Sequence, residues 1–358
     1  MIKPKKLERG DKIAIISLSS GLLGEPFMAS QKKLIEKRLS VEFGFEIVYT
    51  PNALKGLEFL KNNPEARAED LKWVFRDESI RGIICAIGGD DTYRTIPYLL
   101  NDEVFINNVR NNPKVFIGYS DSTINHLMFQ KIGLITYYGH SAIVDFGEFG
   151  DEMLPYSKMW FEKLFSSEES SEIAISPIWY LERLSFDESE IGKERISKLE
   201  ERGFEVLQGK GIVKGRLFGG CVESLCEFIS GNRYGDEAEV NANFDVFPSV
   251  QELEGKILFL ETSEEKATSE RLCFLLSFLE EYGAFDVVNG ILVGKPQDEV
   301  YYDEYKEIYM NIAKKYDKPV VMNMNFGHAH PKCILPYGLE IIMDCDNGKI
   351  VINEPFVL

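Results

Sequence analysis

The stretch Val115-Phe-Ile-Gly-Tyr-Ser-Asp-Ser-Thr-Ile-Asn-His-Leu127 is the most informative part of this 358-residue chain. Its apolar run ends at Gly118, a polar turn follows, and helical spacing begins after the turn. This order predicts a strand, a sharp turn and a helix, with Ser120 at the apex. Such a turn exposes a nucleophilic hydroxyl and leaves backbone N–H groups free to bind an oxyanion. Because Ser122 stands where the nucleophile motif has glycine, a helix start capped by Ser120 or Asp121 is an equally good interpretation.

Strands and helices alternate on both sides of this stretch. Short apolar runs at residues 12–17, 45–49 and 82–87 are separated by segments with helical spacing. This pattern predicts right-handed βαβ units around a parallel sheet, in which ligands bind beyond the carboxyl ends of the strands. Ser19-Ser20, Gly88-Gly89 and Ser120 all follow such strands. The sequence therefore predicts a site at this edge of the sheet.

A second globular part is predicted to begin near residue 211. Strands at 256–260, 290–293 and 319–322 are separated by helical segments, and a final hairpin turns at Asp346-Asn-Gly348. Residues 145–205 carry more charge and fewer strand signals, which is typical of a connecting segment with helical pieces and a mobile surface loop. We therefore predict an α/β protein with one domain at 1–170, a connecting segment at 171–210 and a second domain at 211–358.

Composition narrows the classes of function. Acidic residues outnumber basic ones by 58 to 40, and the resulting net charge of −18 disfavours nucleic-acid binding. No apolar run approaches the roughly 20 residues that span a bilayer, and the N-terminus has no signal-type apolar core. We therefore expect a cytoplasmic protein with no membrane partner. The six cysteines are scattered and there are only four histidines, so neither a metal site nor a cofactor is predicted.

A serine nucleophile needs a base, and that base is usually a histidine oriented by a carboxylate. His126 lies within the predicted helix and is expected to point away from the turn, whereas His140 and His328 both follow strands. For His328, a structural role and a catalytic role are equally well supported, and His330 is expected to be solvent-exposed. Glu261 ends a buried apolar run, where it either pairs with a cation or caps the segment that follows.

The sequence Ile87-Gly-Gly-Asp-Asp91 has two interpretations. It is similar to the loops at which certain kinases hold nucleotide phosphates, and a kinase would also need phosphate-binding lysines nearby. Alternatively, the bare backbone of Gly89 faces Ser120 and donates to an oxyanion. A two-domain protein that binds a small ligand without catalysis is a third possibility, although such proteins are usually exported.

Five ordered motifs extend over nearly the whole chain: Ile87-Gly-Gly-Asp-Asp91, Gly118-Tyr-Ser-Asp121, Gly215-Arg-Leu-Phe-Gly-Gly220, Leu258-Phe-Leu-Glu261, and Phe326-Gly-His328 with Leu335-Pro-Tyr-Gly338. In this set the chain resembles the LD-carboxypeptidase family of serine peptidases, and in particular its microcin C7 self-immunity branch. The resemblance implies a Rossmann-like N-terminal domain with a parallel sheet, a β-rich α/β C-terminal domain and a homodimer.

The resemblance also implies roles for individual residues. Ser120 would be the nucleophile, His328 its base, and Glu261 the carboxylate that orients the base. The backbone N–H groups of Gly89 and Asp121 would form the oxyanion hole. Substrate-side roles are expected for four further residues, which are Asp90, Trp179, Gly220 and Cys221.

Two departures from the family pattern concern the substrate side. Cys221 stands where the family has asparagine, and Phe186 and Phe204 stand where tryptophans are expected. The segment at about 145–203 is expected to form part of the substrate entrance. Within it, Trp179 either stacks on a nucleobase or anchors the core.

Two substrate classes follow from the resemblance. One is an aminoacyl- or peptidyl-nucleotide of the microcin C7 type, and the other is a murein tetrapeptide that loses its terminal D-alanine. Ile87 favours the nucleotide, because the murein branch typically has an arginine there that could hold a carboxylate. Cys221 counts against the nucleotide, because it removes a polar group that the immunity branch also has.

Overall fold

A six-stranded sheet organises the first half of the chain. The computed structural model describes residues 1–358. In chain order the first strands are β1 (Lys12–Ile16), β2 (Glu46–Tyr49), β3 (Ile80–Cys85), β4 (Val115–Gly118) and β5 (Tyr137–Tyr138). They lie in the order β5-β4-β3-β1-β2 and are parallel throughout. Strands β1, β3 and β4 are almost fully buried, as expected for a parallel sheet covered on both faces.

A second, eight-stranded sheet organises the rest. The later strands are β6 (Ser171–Glu172), β7 (Ile178–Tyr180), β8 (Ser197–Leu199), β9 (Glu205–Gln208), β10 (Ile212–Cys221), β11 (Ile257–Glu261), β12 (Gly290–Gly294), β13 (Val320–Met324), β14 (Leu335–Pro336), β15 (Glu340–Asp344) and β16 (Lys349–Ile352). The sheet order is β6-β16-β15-β10-β11-β12-β13-β9, with a parallel centre from β10 to β13 and antiparallel strands at both sides. Strands β7 and β8 form a separate antiparallel pair.

Helices cover the two sheets. They are α1 (Ala29–Lys37), α2 (Leu57–Asn62), α3 (Pro64–Arg76), α4 (Ile96–Leu100), α5 (Glu103–Asn111), α6 (Thr123–Ile132), α7 (Pro155–Glu162), α8 (Val222–Ser230), α9 (Glu237–Phe244), α10 (Val250–Leu253), α11 (Ser269–Glu281), α12 (Ala284–Val287) and α13 (Tyr302–Tyr316). Thr268 caps α11 by accepting the N–H of Arg271, and α6 ends at Gly133 with φ +102°. None of these helices combines the length and the hydrophobicity of a membrane span.

The predicted fold class is confirmed: the chain is an α/β protein with a parallel N-terminal sheet and a β-rich C-terminal part. The final hairpin also forms as predicted, and Gly348 in its turn has φ +64°. Residues 145–205 contain α7, in agreement with the helical pieces expected there, and they also contain the short strands β6, β7 and β8, which were not predicted. The domain boundaries at 170 and 211 stay a prediction.

One strand crosses between the two halves of the sequence. Strand β14 pairs antiparallel with β5, so residues 335 and 336 complete the edge of the N-terminal sheet. This pairing positions the loop after β13, which carries His328, beside the carboxyl ends of β4 and β5.

Candidate active site

Ser120 lies at the apex of a tight turn directly after β4. Its φ of +62° is in the left-handed region, which a non-glycine residue adopts at some energetic cost. The turn is held from both sides: the Ser120 N–H donates to the Tyr138 hydroxyl at 3.2 Å, and the Thr123 hydroxyl donates to the Ser120 carbonyl at 2.6 Å. A strained and well-anchored serine at a strand end has the geometry of a nucleophile elbow.

Two glycines and two free N–H groups surround the Ser120 side chain. Gly88 packs so closely that a Cβ atom on it would lie 2.7 Å from Ser120 Cβ and 2.8 Å from Oγ. Gly89 has φ +147°, and a Cβ there would collide with Ser19. The N–H groups of Gly89 and Asp121 donate no hydrogen bond within the chain. Both are therefore available to an oxygen atom bound beside Ser120.

Glu261 and His328 form a buried pair. Glu261 ends β11 and is only 1% exposed, and its Oε2 accepts hydrogen bonds from His328 Nδ1 at 2.7 Å and from the His328 N–H at 3.0 Å. Its other oxygen accepts the Tyr138 hydroxyl at 2.5 Å. Since Nδ1–H is held by Glu261, Nε2 is the nitrogen left for chemistry. Tyr138 thus connects the carboxylate to the backbone of Ser120.

A second carboxylate contacts the other nitrogen of the same ring. Glu264 Oε2 lies 3.0 Å from His328 Nε2, and no hydrogen bond joins His328 to Ser120. Burial disfavours the charged imidazolium, but Glu261 and Glu264 outweigh burial and raise the pKa of His328 to about 10. The contact with His328 lowers the pKa of Glu264 to about 2. Both carboxylates therefore favour the imidazolium form of His328.

These groups open onto one cavity of about 310 Å³. Its lining combines backbone from the Gly88–Gly89 loop, the two site residues Ser120 and His328, and charged side chains from residues 182–195. The full lining is Ser20, Ile87, Gly88, Gly89, Tyr119, Ser120, Val144, Glu182, Arg183, Phe186, Arg195, Glu264, Gln297, His328 and His330. The cavity has the size and polarity of a small-molecule site.

Two arginines supply positive charge to the cavity. Arg195 Nε lies 2.5 Å from Glu148 Oε2, and Arg183 Nε donates to Oε1 of the same carboxylate at 3.1 Å. Burial acts to raise the pKa of Glu148, but the two guanidinium groups outweigh burial and hold this pKa below its ordinary value. Arg183 also lies 3.8 Å from Glu190, so both guanidinium groups are held by carboxylates at the wall of the cavity. Arginine donors fixed in this way can bind an anionic ligand group.

A buried lysine lies beneath the turn. Lys332 is fully buried, its Nζ is 3.9 Å from the centre of the Tyr119 ring, and the Asp145 carboxylate is 3.7 Å away. Burial lowers the pKa of this ammonium. The cation–π contact fixes the ring of the residue that precedes Ser120.

The structure corrects the expectations for the substrate side. Trp179 is only 7% exposed and does not line the cavity, because its ring covers the ammonium of Lys295 at 4.8 Å. The aromatic side chain from this segment that lines the cavity is Phe186, which is 47% exposed. Cys221 is buried behind the site and donates its thiol to Glu223 at 3.2 Å.

Gly220 and Asp90 do not line the cavity either. A Cβ atom on Gly220 would lie 2.5 Å from the Thr123 side chain, so this glycine serves close packing. The Asp90 carboxylate accepts the hydroxyl of Tyr234 at 2.6 Å on the exposed side of the Gly88–Gly89 loop. Their expected contacts with substrate stay predictions.

The other histidines are structural. His126 contacts the Thr136 hydroxyl and donates from Nε2 to the Gly118 carbonyl, and His140 Nε2 donates to the Ser157 carbonyl at 2.9 Å. The expectation that His330 is solvent-exposed was wrong, because it is only 4% exposed at the inner wall of the cavity. Burial and the neighbouring Arg195 and Lys332 lower the pKa of His330 well below its ordinary value.

One cluster has the composition of a metal site. Cys221 Sγ, a Glu261 oxygen and a His328 nitrogen lie within 4.8 Å of one another. Each already has a hydrogen-bond partner, since Nδ1–H donates to Glu261 and the thiol donates to Glu223. Burial also raises the pKa of the Cys221 thiol well above its ordinary value, which disfavours the thiolate that a metal requires. Hydrogen bonding accounts for the cluster.

Sequence reasoning missed several residues of the site. Tyr138, Glu264, Arg183 and Arg195 were not singled out. The signal for Glu264 was its position three residues after Glu261, in a segment that follows a buried strand. The arginines lie in a segment without strong local patterns, so their position depends on tertiary structure.

Comparison with known proteins identifies the class of this fold and site. Residues 13–139 match the LD-carboxypeptidase N-terminal domain, and residues 214–343 match the LD-carboxypeptidase C-terminal domain. The chain belongs to the LD-carboxypeptidase family of serine peptidases.

Four comparisons, two of them with MccF, are informative. An MccF-like protein from Streptococcus pneumoniae, solved in complex with AMP, is 42% identical, with 96% of this chain and 99% of that chain covered and a TM-score of 0.91. The microcin C7 self-immunity protein MccF of Escherichia coli is 28% identical over 88% of this chain and 86% of its own length. A structure of MccF in complex with aspartyl sulfamoyl adenosine is 25% identical, covers both chains fully and has a TM-score of 0.78. The "Probable murein peptide carboxypeptidase" of Bacillus subtilis is 26% identical, with 98% and 94% of the two chains covered.

Proposed function

We propose that this protein is a serine hydrolase that cleaves the amide-type bond between an acyl group and a nucleotide, in compounds of the microcin C7 class. Ser120 is the nucleophile, His328 the base, and Glu261 the carboxylate that orients it. The observation that carries the proposal is the convergence of a strained Ser120, two free N–H groups and the Glu261–His328 pair on one cavity.

The proposed reaction follows from this geometry. After Glu264 withdraws from Nε2 and the ring loses a proton, His328 takes the proton of Ser120 while Oγ bonds to the acyl carbon. The N–H groups of Gly89 and Asp121 stabilise the resulting oxyanion. The carbon–nitrogen bond then breaks, and the leaving nitrogen takes the proton from Nε2. Water then attacks the acyl carbon while the same ring takes its proton. That proton passes from Nε2 to Oγ as the Oγ–carbon bond breaks, so the acid is released and Ser120 and His328 are restored.

Three observations support the nucleotide as substrate. The Streptococcus pneumoniae relative holds AMP, and MccF holds aspartyl sulfamoyl adenosine. Phe186 offers an exposed ring in the cavity on which a base can stack. Ile87 leaves the strand end without the arginine that the murein branch typically has.

A murein tetrapeptide is the second candidate, and one observation favours it. Arg183 and Arg195 bring two cations into the cavity and could hold a peptide carboxylate in place of the missing arginine at residue 87. The Bacillus subtilis relative is named for murein peptides. A kinase has less support, because the chain belongs to a peptidase family.

Labelling with a fluorophosphonate tests the nucleophile. We expect one modified peptide containing Ser120, no modification of Ser120→Ala, and retained modification of Ser122→Ala as the matched control in the same turn.

A comparison of kcat/KM for aspartyl sulfamoyl adenosine and a murein tetrapeptide then tests the substrate. A preference of about tenfold for the tetrapeptide, about 1.4 kcal/mol in transition-state binding, would reverse the order of the two candidates.

A further inference from the structure

The carboxylate of Asp121 is buried directly beside the proposed oxyanion hole. The residue has no exposed surface, and its Oδ2 accepts the N–H of Thr92 at 2.8 Å. This hydrogen bond ties the segment after the Gly88–Gly89 loop to the turn that carries Ser120. The other oxygen of the carboxylate, Oδ1, accepts no hydrogen bond from the chain. A buried carboxylate that is only half satisfied in this way is costly unless a cation lies nearby.

Arg233 is the cation that faces this carboxylate. Its Nη2 lies 3.8 Å from Asp121 Oδ1, a distance at which the two groups attract each other without a hydrogen bond. The guanidinium is held in place by the fully buried Glu237, whose Oε1 accepts hydrogen bonds from Nε at 3.1 Å and from Nη2 at 2.5 Å. Burial raises the pKa of Asp121, and Arg233 is the strongest influence that lowers it.

The loop that carries Arg233 comes from the second half of the chain and joins α8 to α9. Its next residue, Tyr234, donates its hydroxyl to the Asp90 carboxylate at 2.6 Å. Asp90 directly follows Gly89, the other proposed oxyanion donor. Two consecutive side chains of one loop therefore reach the two segments that supply the N–H groups of the oxyanion hole, and Arg233 serves the one with a buried charge.

We propose that Arg233 is a positioning residue of the oxyanion hole, whose guanidinium offsets the buried charge of Asp121 so that the Asp121 N–H can stabilise a developing oxyanion. The inference rests on the proposed function, and it applies to acyl-nucleotide and murein substrates alike because both form the same oxyanion. A carboxylate on the residue that donates the N–H repels the negative charge of the attacked oxygen. Arg233 reduces this repulsion without touching the substrate, since it does not line the cavity.

The rate at which a fluorophosphonate labels Ser120 tests this role without a natural substrate, because the phosphoryl oxygen occupies the oxyanion hole during attack. We expect Arg233→Gln to be labelled roughly tenfold more slowly than wild type, a smaller effect than the hundredfold or more that loss of a whole donor causes. Arg233→Lys keeps the charge and should retain most of the rate. Adding Asp121→Asn to Arg233→Gln removes the charge that needs compensation, and this double variant should recover most of the lost rate.

Arg94→Gln is the matched control. Arg94 lies in the same contact between the two halves of the chain, 3.7 Å from Asp236, and it makes no ion pair with Asp121. Its labelling rate should equal that of wild type. With aspartyl sulfamoyl adenosine as substrate, Arg233→Gln should lower kcat and kcat/KM by the same factor, because the interaction is made only in the transition state.

Three results would overturn the inference and leave the proposed function standing. They are wild-type labelling of Arg233→Gln, an equal loss of rate in Arg94→Gln, and a double variant labelled no faster than Arg233→Gln. Should Arg233→Gln fail to fold, the double variant decides alone: labelling near the wild-type rate supports the role, and labelling roughly tenfold slower refutes it. If Ser120 of the wild type is not labelled at all, the proposed function fails and this inference fails with it.

Discussion

Tyr138 holds together the two halves of the candidate site. Its hydroxyl donates to Glu261 and accepts the N–H of Ser120, so one oxygen atom sets the distance between the carboxylate and the nucleophile's backbone. This residue sits on β5, next to β4 in the sheet. In the sequence analysis this strand served only to place His140. The hydrogen bond from the Tyr138 hydroxyl to Glu261 joins residues 123 positions apart, and no local sequence pattern can reveal such a bond.

We expect Tyr138→Phe to reduce kcat by about tenfold to a hundredfold, because a buried Glu261 oxygen and the Ser120 N–H lose their partner at about 1–3 kcal/mol each. Tyr137→Phe is the matched control: Tyr137 precedes it on the same strand, and its hydroxyl donates to the carbonyl of Phe356, far from the site. Steady-state kinetics and urea unfolding of both variants separate the effects. Equal losses of kcat in the two variants would refute this role for Tyr138.

The pKa of His328 predicts opposite pH dependences for stability and activity. The folded protein raises this pKa from its ordinary 6.5 to about 10, so the folded state binds the proton more tightly than the unfolded chain. The stabilisation is therefore complete below about pH 6.5 and is lost as the pH rises to about 10. Activity should rise over the same range, because the neutral ring is the base.

Urea unfolding between pH 6 and pH 10 checks this prediction. The free energy of unfolding should fall with pH in wild type and fall less in His328→Gln. His330→Gln is the control, since burial and nearby cations lower the pKa of His330 and any contribution from it changes below pH 6.5. A slope unchanged by His328→Gln would contradict the assignment.

At the scale of elements, the carboxyl ends of strands determine where the site lies. Ser120 follows β4 and Glu261 ends β11, and sequence reasoning identified both because a polar residue directly after a buried run is unusual. The two strands belong to different sheets. The ends of these two strands lie side by side because β14 pairs with β5. Strand β14 has only two residues, which is too short to leave a sequence pattern, so this pairing was not predicted.

The Gly88–Gly89 loop after β3 must also approach the turn after β4 closely. Gly88→Ala places a Cβ 2.7 Å from Ser120 Cβ, so the serine has to move. We expect kcat to fall by about a hundredfold, since small displacements of reacting groups carry losses of that size. Gly235→Ala is the control, because no atom lies within 4 Å of its added Cβ. Wild-type kcat in Gly88→Ala would show that the turn is not fixed by this contact.

The connecting segment shows the limit of local reasoning at this scale. Its charge and glycine content predicted a loop near the substrate, and residues 182–195 do line the cavity. The same pattern could not tell an exposed aromatic from a buried one. Trp179 was expected either to stack on a nucleobase or to anchor the core, and the ammonium of Lys295 over its buried ring favours the second role.

For the whole molecule, the homodimer implied by the family resemblance stays a prediction, and exposed aliphatic side chains suggest where its interface lies. Leu184, Ile196 and Leu199, which lie within one segment of the sequence, are 95%, 65% and 72% exposed, so this segment is the interface that we propose. We expect sedimentation equilibrium to give twice the chain mass, and Leu199→Glu to shift the protein towards the monomer. Ile212→Glu, an equally exposed aliphatic residue on β10, is the control. A monomeric wild type would refute the dimer.

The pairing of β14 with β5 also has a consequence for how the protein is made. On the ribosome, the first sheet emerges early and can assemble four crossover units while translation continues. Its β5 edge then stays unpaired until residues 335 and 336 leave the exit tunnel, and an open strand edge invites pairing with other chains. His328 emerges at nearly the same time. A nascent chain is therefore expected to need shielding of that edge by chaperones until residues 335 and 336 have emerged, and the two strand ends that carry Ser120 and Glu261 are expected to meet only after that point.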